Sequence, residues 1–533
     1  MKRSEEKRLE TLSPFEVKNT LINLAQSHHE KMMLNAGRGN PNWVATVPRH
    51  GFFSLGRFAL SESERLFTEI QGFGGHPQKT GITDRFNKFL KQNSTDEGAA
   101  FLEEAFSYAV NTLKIDSDDF LLEMVDGILG DFYPGPDRML TNCETIVGEY
   151  LRQELSAGCT PPKGHFDIFA TEGGTAAMTY VFQTLVENKL LAPGDKIAIG
   201  VPVFTPYLEI PLLNDFRFVE VEIMADENND WKIPEAEVDK LLDPAIKAFF
   251  VVNPSNPPSA RLDRKTIDRI KNIIETKRKD LILLTDDVYC TFTNGFVSLF
   301  AAAPHNAIGV YSFSKYFGAT GWRLGVIALH EKNAMDEALQ NLPSDKQAEL
   351  HERYASVSLD PSGMKLIDRM VADSRTVALN HTAGLSTPQQ IQMALFALYA
   401  LVDNKKGYYK KTAQSIVKQR YHTLYEHAAV PPLVPESSED NAFYYTEIDI
   451  LQVGEKQFGK TFVDWLVKNH EPLDFVIRLA EDKSVVLMPG GGFDAPEWSV
   501  RVSLANLDDE AYGKISIKMR ELLEEYDQEF RKA

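Results

Sequence analysis

The sequence predicts an α/β fold: a large domain with a mostly parallel, seven-stranded sheet covered by helices, followed by a smaller α+β domain. Three observations carry this. Short apolar runs recur through the middle of the chain, helical patterns separate most of them, and glycines, amides, acids and a lysine stand directly after the runs.

The runs Ile168–Ala170, Lys196–Gly200, Phe216–Ile223, Ala248–Val252, Leu281–Thr285, Val310–Phe313 and Leu324–Leu329 read as buried strands. Between them, Thr175–Val186 and Lys265–Lys277 carry helical spacing, so the block is a series of βα units over residues 85–385. Charged or helical insertions are expected within it at about 85–130 and 340–375, the second centred on Asp345–Ala372. After Pro388 the pattern changes to a long helix, Gln389–Val402, continuing polar toward Tyr421. Strands Phe443–Ile450, Ser484–Leu487 and Ser499–Leu504 follow, separated by helices at Gln457–Asn469 and Asp508–Gln528, which predicts a small α+β domain over 386–533. Residues 1–84 read as an N-terminal arm and loop packing on that small domain.

Composition narrows the class. At 533 residues, a prior of about 150 per domain suggests roughly three to four units. Lys and Arg total 57 against 76 Asp and Glu, a net charge of −19, which argues against nucleic acid or an anionic membrane as partner. The longest apolar run, Met393–Val402, is too short to span a bilayer, and the charged start of the chain is not a secretory signal. Cys143, Cys159 and Cys290 form neither a disulfide framework nor a zinc motif, and the cytoplasm is the expected compartment. No metal is expected: His28-His29-Glu30 are adjacent on a helix and point to different sides.

In an open α/β sheet a ligand sits beyond the carboxyl ends of the strands, so the residues there are the candidates for chemistry. Thr171-Glu-Gly-Gly-Thr175 is a glycine turn opening a helix, whose N-terminus favours an anion. Asn253-Pro-Ser-Asn-Pro257 is a rigid polar turn, and Asp286 ends an apolar strand with Tyr289 three residues on. A buried carboxylate there needs a cationic partner, since an unpaired one costs several kcal/mol to desolvate. Ser314-Lys315 ends the next strand, with Arg323 in Gly321-Trp-Arg-Leu-Gly325. A lysine at a buried strand end can become an amine nucleophile.

Falling in this order at successive strand ends, these residues resemble the pyridoxal-phosphate enzymes of the aspartate aminotransferase fold type I, over residues 35 to about 505. The resemblance implies pyridoxal 5'-phosphate as cofactor, linked to Lys315, which would also shuttle the substrate proton. It implies Asp286 at the pyridine nitrogen and Asn256 and Tyr289 at the phenolic oxygen. Phe204 would stack on the ring, and Gly174, Thr175, Ser312 and Arg323 would hold the phosphate. Arg501 would clamp the substrate α-carboxylate, Gly37 belongs to a loop closing over substrate, and Tyr133 would reach a neighbouring subunit's phosphate site. The minimal active unit would then be a homodimer, assembled into larger homo-oligomers. Two departures stand out: Pro258-Ser259 follows Asn256-Pro257 where the family has Thr-Gly, and 133 − 37 = 96 positions separate Gly37 from Tyr133, more than in a typical member.

The extended N-terminus, the loop Leu34–Trp43 and both insertions resemble the bacterial L-aspartate β-decarboxylases across nearly the whole length. That implies conversion of L-aspartate to L-alanine and carbon dioxide, with a side aspartate aminotransferase activity using 2-oxo acids. The β-carboxylate must be held, yet not more strongly than the transition state, and Arg38 is the arginine expected to contact it, the other reading being a loop arginine that faces solvent. The alternatives are a plain amino-acid aminotransferase and, from another class, a cofactor-sensing regulator, which would need a basic DNA-binding appendage that Met1 to Asn35 cannot supply.

Overall fold

The seven apolar runs form one sheet in a computed structural model that describes all residues except 1–2, 11, 27–32, 214–215, 376–383, 404–406, 428–431 and 433. The strands are β1 (Phe166–Thr171), β2 (Lys196–Val201), β3 (Val219–Met224), β4 (Ile246–Val252), β5 (Ile282–Asp286), β6 (Ala307–Ser312) and β7 (Gly325–His330). Their spatial order is β1-β7-β6-β5-β4-β2-β3. Neighbours are parallel except at β7, which runs antiparallel to both β1 and β6.

Strands β1, β5, β6 and β7 are buried along their whole length, which is why they read as unbroken apolar runs. Edge strand β3 instead alternates, exposing Glu220 and Glu222, charges that disfavour pairing with another sheet. It begins later than the expected Phe216 because Arg217 has φ +55°, outside the extended region. The helix Arg264–Thr276 is capped by Asp263, whose side chain accepts from Thr266 N, and buries one stripe of Ile267, Ile270, Ile273 and Ile274.

The small sheet has β8 (Tyr445–Asp449), β9 (Met488–Pro489) and β10 (Ser499–Ser503), antiparallel in the order β9-β10-β8. Helices Tyr408–Glu426, Pro472–Lys483 and Asp509–Lys532 accompany it. From the N-terminal arm, helix Pro14–Gln26 lies on Pro472–Lys483, and Leu34–Asn35 pairs in parallel with Val485–Val486.

Two sequence expectations need correction. The helix expected to run from Gln389 toward Tyr421 is two helices, Thr387–Asp403 and Tyr408–Glu426. The first is apolar nearly all round, so it needs cover on every side, and it sits among Thr46–Glu64, Glu97–Asn111, Ser117–Leu129 and Thr141–Leu155 rather than in the small unit. A division at residue 84 cuts this same helical layer, because Thr46–Glu64 packs on Glu97–Asn111 and Ser117–Leu129.

The insertion after β7 forms helices Ser344–Tyr354 and Leu366–Asp373. It grips the far end of the helix Gly174–Glu187 through one buried network. Asn188 Nδ2 donates to Tyr354 Oη (2.8 Å) and Asp373 Oδ2 (3.1 Å), Tyr354 Oη donates to Asp373 Oδ2 (2.8 Å), and Arg369 Nη1 donates to Asn188 Oδ1 (3.0 Å). Arg353 Nη2 completes it on Asp373 Oδ1 at 2.9 Å. Asp373→Ala leaves Asn188 and Tyr354 without their charged acceptor and is expected to cost about 2–4 kcal/mol, read as a lower thermal midpoint. An unchanged midpoint would show that the insertion is not clamped through this carboxylate.

Candidate active site

Register brings the strand ends together. Thr171 at the end of β1 and Ser312 at the end of β6 both pair with Gly325 at the start of the antiparallel β7. The turn after β1 therefore lies against Gly325: a Cβ there would come within 2.5 Å of the Gly173 carbonyl carbon and 2.9 Å of Gly174 N. Gly173 has φ +103°, and a Cβ on it would meet Arg323 Nη2 at 2.5 Å, so the guanidinium lies directly over the turn. Arg323 Nη1 donates to the Thr320 carbonyl at 3.0 Å, which fixes the fork there. Ser312 Oγ and Ser314 Oγ stand 3.0 Å apart beside it. The result is an anion cradle: free backbone N–H groups at a helix N-terminus, two hydroxyls and an arginine.

Asp286 ends β5 inside the protein. Its Oδ2 accepts from Tyr207 Oη at 2.5 Å and its Oδ1 from Val288 N at 3.2 Å. Burial pushes its carboxyl up to about 6, against the pull of those two donors and of the Lys315 charge. The adjacent Asp287 accepts from Thr285 Oγ1 (2.9 Å) and Ser298 Oγ, and burial pushes its carboxyl up to about 8 against the pull of those two hydroxyls. Lys315 Nζ donates to the Gly39 carbonyl at 3.1 Å, which also accepts from Tyr444 Oη at 2.9 Å. Tyr289 Oη donates to Tyr445 Oη at 3.1 Å.

Arg501, on β10, is 1% exposed and held flat between the rings of Tyr445 and Phe493, 4.5 and 4.8 Å from its guanidinium carbon. Its Nη1 donates to Asn256 Oδ1 (3.1 Å) and its Nη2 to the Gly37 carbonyl (2.9 Å). Lys18, on helix Pro14–Gln26, is pushed down by burial and by the charges of Arg38 and Arg501, which places three cations around this mouth. Arg38 itself is exposed.

Of the residues expected from the sequence, Gly174, Thr175, Phe204, Asn256, Asp286, Tyr289, Ser312, Lys315 and Arg323 line one pocket. Gly37 and Arg501 meet directly beside it, Asn256 joins Arg501 to the pocket, and Arg38 is on the same loop as Gly37. Tyr133 does not line this pocket in its own chain and is 72% exposed. Three neighbours were not anticipated: Tyr207, Tyr445 and Lys18. Tyr207 was within reach, since it stands three positions after Phe204 in Pro202-Val-Phe-Thr-Pro-Tyr207; the other two carried no sequence signal. The departure at Pro258-Ser259 leaves Asn256 in place and ties its turn to the small sheet, with Ser259 Oγ accepting from Tyr445 N at 2.8 Å. His28-His29-Glu30 lie outside the described residues, among which no group of three potential metal ligands occurs.

The fold and the pocket define an α/β enzyme of the aminotransferase type, and the comparisons agree. The model for aminotransferase class I and II matches residues 168–515, so the chain belongs to that family. It is 48% identical over 524 residues, 98% of each chain, to the bifunctional aspartate aminotransferase and L-aspartate beta-decarboxylase of a Pseudomonas species. Two solved structures share the fold. Pyrococcus protein A1 has a TM-score of 0.60 at 18% identity, covering 99% of this chain and 100% of that one. The aromatic aminotransferase of Pyrococcus horikoshii has a TM-score of 0.57 at 17% identity, covering 95% and 99%.

Enzymes of this family use pyridoxal 5'-phosphate, and the donor set fits it. An anion cradle in which Gly173 and Gly325 leave no room for a Cβ, a buried carboxylate and a lysine amine line one cavity, as a phosphate, a pyridine nitrogen and an aldehyde require. Tyr207→Phe keeps the ring against Phe250 (4.9 Å) but removes the donor to Asp286, so its carboxyl rises further and less of it is ionised at neutral pH. Cofactor affinity, titrated into the apoprotein, is expected to fall at least about tenfold, the worth of a hydrogen bond to a charged group; an unchanged affinity would remove Tyr207 from the site.

Proposed function

We propose that this chain converts L-aspartate to L-alanine and carbon dioxide, with a side aspartate aminotransferase activity that uses 2-oxo acids. The observation that carries the reading is the pairing of a buried arginine with an exposed one at a single mouth, Arg501 and Arg38, beside Lys315. The 48% identity to the bifunctional Pseudomonas enzyme, over 98% of both chains, supports the same substrate.

Bound in the pocket, pyridoxal 5'-phosphate supplies the electron sink for bond breaking at the substrate's Cα and Cβ. Asp286 would hold the pyridine nitrogen, Gly174, Thr175, Ser312 and Arg323 the phosphate, and Phe204 would cover one ring face. Asn256 carries its amide between Arg501 and the pocket, with Tyr289 on the same side. Lys315 Nζ is the base placed to move the proton at the substrate Cα. Arg501, desolvated and rigid, fixes the α-carboxylate, and two parallel N–H bonds to it set the Cα–H direction.

The β-carboxylate calls for a weaker hold. It must lose its charge as carbon dioxide leaves, and a clamp that stabilises the carboxylate more than the transition state slows that step. An exposed arginine, screened by water, meets this better than a buried one, so Arg38 suits the β-carboxylate and Arg501 the α-carboxylate. Lys18 adds positive charge to the same corner.

Exposed Phe53, Phe73, Phe132 and Tyr133, at 64%, 66%, 51% and 72%, support a homodimer as the active unit, with Tyr133 reaching the partner's phosphate site, and larger homo-oligomers built from it. Three free cysteines and the lack, among the described residues, of a helix long and apolar enough to cross a membrane suit a cytoplasmic enzyme.

Pure holoenzyme given L-aspartate without an oxo acid is expected to release carbon dioxide and alanine over many turnovers. A single stoichiometric half-reaction would make it a plain aminotransferase. Arg38→Ala is expected to reduce alanine formation more than transamination; equal losses would take the β-carboxylate away from Arg38. Arg501→Ala is expected to raise KM for aspartate by an amount worth about 2–5 kcal/mol, the cost of breaking a buried charge pair.

A further inference from the structure

Glu447 stands opposite Arg501 on the neighbouring strand. The register of β8 and β10 pairs the two residues directly, so their side chains leave the same face of the sheet as neighbours. Both are buried, at 3% and 1% exposure. Arg501 donates through Nη1 and Nη2, yet Arg501 Nε and Glu447 Oε2 each have no hydrogen-bond partner among the described residues. An ionised carboxylate buried beside a guanidinium would take that free N–H. The two unpartnered atoms suit a carboxyl group that has kept its proton.

Glu447 Oε1 meets Ser499 Oγ, which also lies 2.6 Å from the Pro496 carbonyl. A hydroxyl has one proton to give. It can go to the Pro496 carbonyl only if Glu447 brings a proton of its own to Ser499 Oγ. If Glu447 is ionised, the hydroxyl turns to it, and the Pro496 carbonyl keeps the Ser499 N–H at 3.0 Å. Ser499 thus serves either state without leaving an orphan. Gly490 closes the cluster, since a Cβ there would collide with Ser499 Oγ and Glu447 Oε1.

We propose that Glu447 is a positioning residue for Arg501: protonated, it leaves the guanidinium to the substrate α-carboxylate, and ionised, it draws the guanidinium back through Nε and competes with substrate. The inference rests on the α-carboxylate role of Arg501. The other groups that face Glu447 are Asp449 on its own strand, Glu227 in the short helix Glu227–Asn229 and Tyr425 on helix Tyr408–Glu426. Burial is the largest influence and the two acids add to it, outweighing Ser499 and Arg501, so that Glu447 is pushed up to about 8. Substrate binding is therefore firm below that pH and weakens above it. The same group contributes stability that is fully present below the ordinary glutamate value of 4.5 and is lost progressively as pH rises from there through about 8.

The experiment is KM for L-aspartate against pH with holoenzyme, together with calorimetric binding of succinate, which has no amine to titrate and does not turn over. From about pH 7 to about pH 9.5 the wild-type Kd for succinate is expected to rise about tenfold, while Glu447→Gln, which cannot ionise, lacks that rise. The two enzymes are expected to differ in KM and Kd and to share one pH profile of kcat. Parallel wild-type and Glu447→Gln binding profiles overturn the proposal, as does tenfold weaker succinate binding by Glu447→Gln at about pH 7, which would mean that the charged form is the useful one. Should Glu447→Gln fail to fold, Ser499→Ala removes the donor that favours ionisation, and the rise should move to higher pH; an unmoved profile overturns the proposal. Arg501→Lys separates the two readings. Unchanged KM there means that the α-carboxylate role of Arg501 fails, whereas raised KM with parallel Glu447→Gln profiles removes Glu447 alone.

Discussion

A carboxylate placed where water cannot reach it, Asp286 at the carboxyl end of β5, is the constraint around which this site is organised. Left without partners it would cost several kcal/mol. Three separate parts of the chain offset that: Tyr207 after β2, the Val288 N–H in its own turn and the charge of Lys315 after β6. The backbone is tied in as well, since Asn253 N at the end of β4 donates to the Asp286 carbonyl at 2.8 Å. Once these elements converge on the carboxylate, the glycine turn after β1 and the arginine before β7 have one place to go, because β7 runs antiparallel between β1 and β6.

The mouth around Arg501 obeys a different rule. It is assembled across the two units and the N-terminal segment, with Arg501 of the small sheet bonded to Asn256 of the large one and to Gly37 of the loop. That loop is threaded between them: Asn42 N donates to the Ala505 carbonyl (2.8 Å), Trp43 Nε1 to the Tyr316 carbonyl (3.2 Å), and Arg420 Nη2 to Asn42 Oδ1 (2.9 Å). A cofactor pocket made from one sheet is rigid by packing. A mouth made from three pieces of chain is where affinity and specificity can be adjusted without disturbing that pocket, and the three cations Lys18, Arg38 and Arg501 come from two of those pieces. The insertions serve the frame: one pins the distal end of the helix that opens the anion cradle, and the other builds the layer that surrounds Thr387–Asp403.

The inner strands and the residues at their ends were legible because both faces of the sheet are buried there. Burial forces continuous apolar runs, and any polar residue that ends such a run needs a reason to be there. Asp286, Lys315 and the Gly173-Gly174 turn stand out on that ground alone, and the ordered set Gly174, Asn256, Asp286, Tyr289, Lys315 and Arg323 identified the family. The edge of β3 was misplaced because a single left-handed residue, Arg217, is invisible to hydropathy.

Periodicity thus marked the sheet and the polar residues at its strand ends, because burial imposes local patterns on neighbouring residues, and the family resemblance that those residues carry implied the cofactor and the class of reaction. Only the folded chain decided that Thr387–Asp403 belongs with the large unit, that Tyr207 holds Asp286, and that Glu447 and Lys18 stand beside Arg501. Those pairings join residues tens to hundreds of positions apart, and the forces that make them, desolvation and charge at a few ångströms, act on distance in space and leave no mark on spacing along the chain.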